Sequence, residues 1–450
     1  MMLSELARVT RGRQIGADVT IAAVSIDTRT LEPGALFVAL DGPNFDGHDY
    51  LGAARERGAR AALVTRQIDI DLPQVVVPQT RRALGEMAAW WRSCHDVTLV
   101  AVTGSNGKTT VKEMLAAIFN QVSQHVLATR GNLNNDLGVP LTLMRLRDSH
   151  EYAVVEMGMN NPGELTYLTG LAKPDIAVIT NAAAAHLEGL GGLEAVARAK
   201  GEILAGLSAA GTAVLNADDM YFALWRELAG ERRVISFALE QNADVTAEYE
   251  LLTTGARLSL TTPSGAGECT LQVAGRHNVL NALAAAAAAS AAGVNIQAIL
   301  DGLSNWQGVK GRLQRQRIGE LQLIDDSYNA NPASLQAGIE VLAAQPGTRI
   351  LVMGDMMELG EEAAELHAAA GRRAADAGID FLYGLGDMTV LACRAFGDQA
   401  KHFSDHARLA HTLKEQLDSM AGPVTVLVKG SRSMQMERIV AVLSAEPGGH

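Results

Sequence analysis

Lys108 stands between a glycine and two threonines in VAVTGSNGKTTVKEM, residues 100 to 114, a grouping whose parts all suit the holding of a phosphate. A lysine offers a point charge and a threonine hydroxyl can bind Mg²⁺. A glycine-rich turn can aim backbone N–H groups at an anion where a helix begins. The common nucleotide-binding spacing, G-x-x-x-x-G-K-[ST], needs a glycine where this chain has Val102. What stands instead is a shorter G-x-x-G-K-T from Gly104 to Thr109, with Ser105 and Asn106 inside it and Thr110 beyond. Alone, that motif leaves a plain βα turn equally open.

A magnesium nucleotide also needs a carboxylate at a neighbouring strand end. EYAVVEMG supplies Glu156 where an apolar run gives way to glycine. VITNAAAAHLEGLGG puts His186 just after another such run, where a neutral imidazole could ligate a second metal. Taken singly, the first reads as a rim charge and the second as a surface histidine.

These groups have to be carried by strand ends, and the chain offers strands at intervals. VTLVAV, YAVVEM, DIAVIT, GTAVLN and RRVISF are buried-type runs, several followed by helical periodicity, the alternation of a parallel α/β sheet. Ahead of them, ALFVAL and AALVT separated by the turn-rich DGPNFDGHDY predict a small α/β domain, its end bracketed by Pro73 and Pro78. Residues 243 to 273 carry β character without helices and predict a small antiparallel extension, closed by an alanine-rich helix from Asn278. NWQGVKGRLQRQRIG is basic, glycine-punctuated and poor in regular pattern, which sets a boundary near Gly308. After it LQLIDD, TRILVMGD, DFLYGLG and VTVLVKGS predict a third, doubly wound, Rossmann-like domain. The expected architecture is α/β throughout, with domains at 1–80, 81–308 and 309–450.

Composition narrows the classes. A chain of 450 residues exceeds one ordinary core. A net charge of −12 and 4% aromatic content argue against a nucleic-acid binder, which selects basic surfaces and stacking rings. Cys94, Cys269 and Cys393 are far apart and form no C-x-x-C pair, which suits a reducing cytoplasm. The N-terminus has no secretory apolar core, and the most apolar run, Val279 to Val294, is largely alanine and shorter than a membrane span.

Five motifs in order, TGSNGKTT, EMG, TNAAAAHLE, ARAKGEI and GRHNVLNALAA, resemble the Mur ligases and their folylpolyglutamate synthetase relatives, whose phosphate loop is short in the same way. The resemblance covers essentially the whole chain. It implies amide-bond formation with ATP through an acyl phosphate, two Mg²⁺ ions assisting. Lys108, within the loop Gly104 to Thr110, would bind the β- and γ-phosphates, and Thr109 and Glu156 would hold one Mg²⁺. His186 would hold the second. Lys200 in ARAKGEI matches a lysine that carries a metal-binding carbamate in several members; by its residues alone it reads as an exposed helical lysine. His277, Asn278 and Asn281 match the adenine-side motif, although Asn278 could equally be a helix cap. Arg312 in VKGRLQ matches the linker arginine that reaches the γ-phosphate, and Asp326 in IDDSYNANP the ribose-side acid.

The first domain resembles a UDP-sugar-binding domain, which folylpolyglutamate synthetases lack. Through DTR and NFDGH it would approach the nucleotide-sugar with Thr28, Arg29, Asn44 and His48. TRGNLNNDLGVPLTL with Asn134 and Asn135, DDSYNANPASL with Asn329 and Asn331, and VMGDMMELGEEAAELH with Asp355 and Glu358 resemble one branch of the family. That branch joins D-alanyl-D-alanine to UDP-N-acetylmuramoyl-tripeptide. KGSRSMQME, residues 429 to 437, completes the match. The diamino-acid-adding branch normally carries Asp-Tyr-Ala-His and Asp-Asn-Pro-Arg signatures, which this chain lacks. It stays as an alternative, beside a nucleotide-binding regulator without ligation. The base that deprotonates the attacking amine is left open among His186, Asp355, Glu358 and His367, with GDMMELG read first as pocket lining. Nothing here demands a nucleic acid, a membrane or more than a monomer.

Overall fold

Runs of buried β-branched and aliphatic residues build the strands, and in the computed structural model they form three main sheets. The structure describes residues 1–42, 45–183 and 192–445, so Asn44 and His186 lie outside the described residues. The first sheet holds β1 (Arg13–Ile15), β2 (Ala23–Ser25), β3 (Ala35–Val38), β4 (Ala61–Val64) and β5 (Gln74–Val76) in the order β1-β5-β4-β3-β2. Only the β1–β5 pair is antiparallel.

The central sheet holds β6 (Thr98–Thr103), β7 (Val126–Ala128), β8 (Tyr152–Glu156), β9 (Ile176–Ile179), β10 (Thr212–Asn216) and β11 (Arg233–Phe237). Their order is β11-β10-β9-β6-β8-β7, parallel throughout. Helix α1 (Lys108–Phe119) follows β6, and α2 (Leu193–Gly201) precedes β10. The expected antiparallel extension is present as β12 (Thr246–Leu251), β13 (Ala256–Thr262) and β14 (Gly265–Leu271). The alanine-rich segment is α3 (Arg276–Ala291), whose Ala282 to Ala289 are buried on every side, so small side chains are what its packing against α1 and the sheet admits.

The third sheet runs β15-β16-β20-β17-β18-β19, from β15 (Gln314–Ile318), β16 (Leu321–Asp326), β17 (Thr348–Gly354), β18 (Phe381–Leu385), β19 (Ala400–Phe403) and β20 (Val424–Lys429). The four strands expected here are β16, β17, β18 and β20. The stretch read as poor in regular pattern contains β15, which pairs antiparallel with β16 at the sheet edge. Its Gln-Arg-Gln-Arg alternation is polar because an edge strand covers little core. Helices α4 (Pro332–Ala343), α5 (Ala363–Asp376) and α6 (Thr389–Phe396) pack against this sheet.

One apolar core runs unbroken from the first sheet, through Leu36, Val38 and Leu63, to Leu84, Leu99, Ala101 and Leu165 beside the central sheet. Among the described residues no helix is long and apolar enough to cross a membrane.

Candidate active site

The loop after β6 turns on two glycines. Gly104 has φ +148°, and a Cβ there would lie 1.8 Å from Thr180 Oγ1; Gly107, φ +84°, would set one 2.2 Å from Asn281 Oδ1. The end of β9 fixes the loop from the side. Thr180 Oγ1 donates to the Asn106 carbonyl at 2.6 Å, Asn181 Oδ1 accepts the Asn106 N–H at 2.9 Å, and the Asn181 carbonyl accepts the Ser105 N–H at 3.0 Å. Lys108 Nζ folds over the turn and donates to Gly104 O at 2.6 Å and Ser105 O at 3.3 Å. Burial lowers its pKa; the Glu156 carboxylate opposes that and the Arg312 guanidinium adds to it.

Glu156 ends β8 directly beside β6 and is 2% exposed. Asn134 Nδ2 donates to its Oε1 at 2.8 Å, while its Oε2 is buried without a hydrogen-bond partner. An orphaned carboxylate oxygen in a low-dielectric site fits a cation. Lys200, near the end of α2, is 2% exposed, which overturns the surface-lysine reading. Burial, and after it the nearby Lys108 ammonium, push its pKa well below that of an ordinary lysine.

On the other wall, Asn278 Nδ2 donates to the Ala274 carbonyl at 2.8 Å, and Asn281 Nδ2 donates to Asn278 Oδ1 at 3.3 Å. The cap residue of α3 is Gly275, so Asn278 is not the cap. Burial lowers the His277 pKa to about 4, helped by the Lys429 ammonium and opposed by Glu340.

The third sheet delivers its groups from strand ends. Arg312 Nη2 donates to Thr109 Oγ1 at 3.1 Å, and its guanidinium lies 4.4 Å from the Tyr328 ring centroid. Asp326, at the end of β16, accepts from Lys429 Nζ at 2.6 Å, and the same ammonium donates to Asn329 O at 2.9 Å. Burial raises the Asp326 pKa against the pull of Lys429. Asn331 caps α4 by accepting the Ser334 N–H at 2.9 Å, and its Nδ2 donates to Asn106 Oδ1 in the phosphate loop at 2.8 Å.

A cavity of about 600 Å³ is lined by loop residues 105–110 together with Asn134, Asn135, Glu156, Lys200, His277, Asn278 and Asn281. Arg312, Asp326, Asn329 and Asn331 face them across it. Other expected residues lie elsewhere. The Asp355 carboxylate accepts the Met388 and Thr389 N–H groups at the start of α6, and Glu358 sits in a left-handed turn, φ +63°; neither lines the cavity. His367 is buried, its Nε2 accepting the Met356 N–H and its Nδ1 meeting Ala363 O, so it braces that turn and is no base. Thr28 and Arg29 lie on the first sheet's surface, Arg29 paired with Asp27, away from this cavity. The buried His48 ring joins Asp46 at Nδ1 to the Thr65 N–H at Nε2, within its own domain.

Three family models match the chain: Mur ligase family, catalytic domain, over residues 20–92; Mur ligase middle domain over 102–289; and Mur ligase, glutamate ligase domain over 311–432. The chain belongs to the Mur ligase family. This Mur ligase is 47% identical, over 98% of either chain, to the UDP-N-acetylmuramoyl-tripeptide–D-alanyl-D-alanine ligase of Escherichia coli. It superposes on a crystal structure of MurF from Acinetobacter baumannii with a TM-score of 0.92 at 38% identity, covering 98% of each chain. On MurF of Thermotoga maritima in complex with ADP the TM-score is 0.83 at 26% identity, covering 95% of this chain and 98% of that one. Among the cations of the cavity, Lys429 and Arg432 of this Mur ligase were given no role from the sequence, although both stand in the KGSRSMQME segment. The available signal was position, since Lys429 closes the strand VTVLVK and Arg432 follows in the next turn, but the partners of Lys429 lie about a hundred residues away on β16 and its loop.

Proposed function

We propose that the chain is an ATP-dependent ligase that joins D-alanyl-D-alanine to UDP-N-acetylmuramoyl-tripeptide through an acyl phosphate. The observation that carries it is the meeting, in one cavity, of the phosphate loop and Glu156 with Arg312 and Asp326 from the third sheet. Units bounded near residues 80 and 308 suit that division of labour. A peptide carboxylate is a poor acyl donor because its oxygen leaves badly and its charge repels a nucleophile; phosphorylation removes both obstacles. Lys108 and Arg312 are assigned to the charge spreading over the transferred phosphoryl group, Asp326 to the ribose, and Asn278 and Asn281 to the adenine side. A third sheet folded over the loop excludes water that would hydrolyse the acyl phosphate.

Glu156 and Thr109 would hold Mg²⁺, with Lys200 as a carbamate, and the metal would supply charge neutralisation at the phosphates. The neutral amine is the form that reacts with CO₂, and the burial that lowers the Lys200 pKa raises the share of that form. A new carbonyl resonance after ¹³C-bicarbonate loading, lost in Lys200→Ala, is the expected result. The nucleotide-sugar is assigned to the first sheet. A second cavity of about 520 Å³ opens there beside Phe45, Thr65 and Arg81. Thr80 Oγ1, buried without a hydrogen-bond partner, also borders it.

The test is phosphate release from Mg-ATP with the UDP-tripeptide, comparing D-alanyl-D-alanine, a free diamino acid and no amine, with mass detection of the product. Release with a UDP-pentapeptide only for the dipeptide is expected. Product with the diamino acid alone would transfer the assignment to the other branch.

A further inference from the structure

The reading above leaves the carboxylate of the incoming dipeptide without a partner, and the inference rests on that reading. D-alanyl-D-alanine carries its nucleophilic amine at one end and a negative charge at the other. A site that selects it must meet the charge with a cation while the amine faces the phosphate loop. Among the described residues the third sheet contributes three cations to the cavity: Arg312, Lys429 and Arg432. Arg312 is turned to Thr109 on the phosphate side. Lys429 is 2% exposed and its ammonium is taken up by Asp326 and the Asn329 carbonyl.

Arg432 differs from both. Its side chain is 57% exposed and one nitrogen pairs with Glu437 at 2.9 Å, which orients the guanidinium without exhausting its five N–H donors. The backbone that carries it is fixed. The Ser431 N–H donates to Asp355 O at 3.0 Å, and Ser431 Oγ accepts the Met357 N–H at 2.8 Å and donates to Ala330 O at 3.3 Å. Residue 431 thus ties together the loops that leave β16, β17 and β20, at the carboxyl ends of parallel strands where α/β sheets take their ligands. We propose that Arg432 binds the dipeptide carboxylate and makes this ligase select an amine that carries one. A guanidinium fork on a fixed backbone suits a planar carboxylate better than a lone ammonium does.

The experiment compares D-alanyl-D-alanine with D-alanyl-D-alaninamide, its uncharged counterpart, in the unsubstituted enzyme and in Arg432→Ala, Arg432→Gln and Arg432→Lys. In the unsubstituted enzyme the amide is expected to have a KM higher by about 10- to 100-fold, the range of a charge-assisted hydrogen bond. Arg432→Ala should raise the dipeptide KM by that same factor while the amide KM and the ATP KM stay put; Arg432→Lys should fall between. Arg432→Gln, which keeps most of the side chain's packing, carries the comparison if the alanine variant unfolds. An unchanged preference for the dipeptide over the amide in Arg432→Ala or Arg432→Gln would overturn the assignment, as would equal losses on both amines. If the unsubstituted enzyme ligates neither amine, the parent reading falls and takes the assignment with it, an outcome seen before any variant is made.

Discussion

Arg312 Nη2 donates a hydrogen bond to Thr109 Oγ1 at 3.1 Å, across 203 residues of chain. The Tyr328 ring under the guanidinium helps hold the fork in place. On the proposed assignment, a cation brought by the third sheet to the edge of the phosphate loop would act on charge that develops during transfer. Arg312→Ala should lower kcat by about 10²- to 10³-fold. The KM for the nucleotide-sugar should barely move, because that substrate is assigned to the first sheet. Steady-state kinetics with each substrate varied checks this; equal losses in kcat and in sugar affinity would count against a role confined to phosphoryl transfer.

Gly107→Ala should weaken both the fold and the nucleotide site. Its φ of +84° is unfavourable for a residue with a Cβ, and that atom would lie 2.2 Å from Asn281 Oδ1. The amide must move, which would disturb the wall assigned to the adenine as well as the loop. A lower denaturation midpoint and a raised ATP KM, with the dipeptide KM unchanged, are the expected pair of results.

Removing Lys429 strips the buried Asp326 of its ion pair and leaves it the Leu313 N–H and the more distant Arg312. Breaking such a pair from one side costs roughly 3–5 kcal/mol. Lys429→Met should therefore destabilise strongly, and Lys429→Met with Asp326→Asn should recover part of the loss. Urea unfolding of the single and double variants measures it. Equal destabilisation in both would mean that packing, and not the stranded carboxylate, sets the cost.

His277 predicts an acid limit. Its pKa in the fold, about 4, lies below the ordinary 6.5, so as pH falls the unfolded chain takes up a proton that the folded chain refuses. The histidine's contribution is fully present above about pH 6.5 and drains away as pH falls toward about 4. Between about pH 7 and pH 5 the unsubstituted protein should lose more stability than His277→Asn does. Parallel unfolding curves at the two pH values would remove the histidine from the explanation.

The sequence disclosed the strands of the central sheet well because a parallel sheet covered on both faces writes itself as continuous apolar runs such as TLVAV and DIAVIT. It hid β15, whose polar alternation serves an edge. Loop residues 104–110 and Glu156 were legible because glycine, lysine and a strand-end acid keep their chemistry in local order. The burial of Lys200 was not, since nothing adjacent in the chain distinguishes a buried helical lysine from an exposed one. Asp355 and His367 have types that invite a catalytic reading, yet their partners are backbone groups that only the fold brings near. The Asn331–Asn106 contact spans 225 residues and has no local signal at all.

The molecule is joined unequally. The core that unites Leu36 and Leu63 with Leu99 and Leu165 cannot be parted without wetting it, at about 25 cal/mol for each Å² exposed. The third sheet meets the phosphate loop through Arg312–Thr109 and Asn331–Asn106, hydrogen bonds that water can replace at a net cost of about 1 kcal/mol each. Between them the chain passes Gly308 and Gly311, with φ of +92° and +73°. Gln345 Nε2 also donates to Thr253 O at 3.3 Å, and Ala274 is the small apolar residue that the central unit lends to the third unit's core, so separation at that hinge is expected to be the easier of the two. On the proposed assignment, everything ahead of it would be an anvil that keeps nucleotide-sugar and phosphate loop in register, and the remainder the hammer that lifts to let spent nucleotide go.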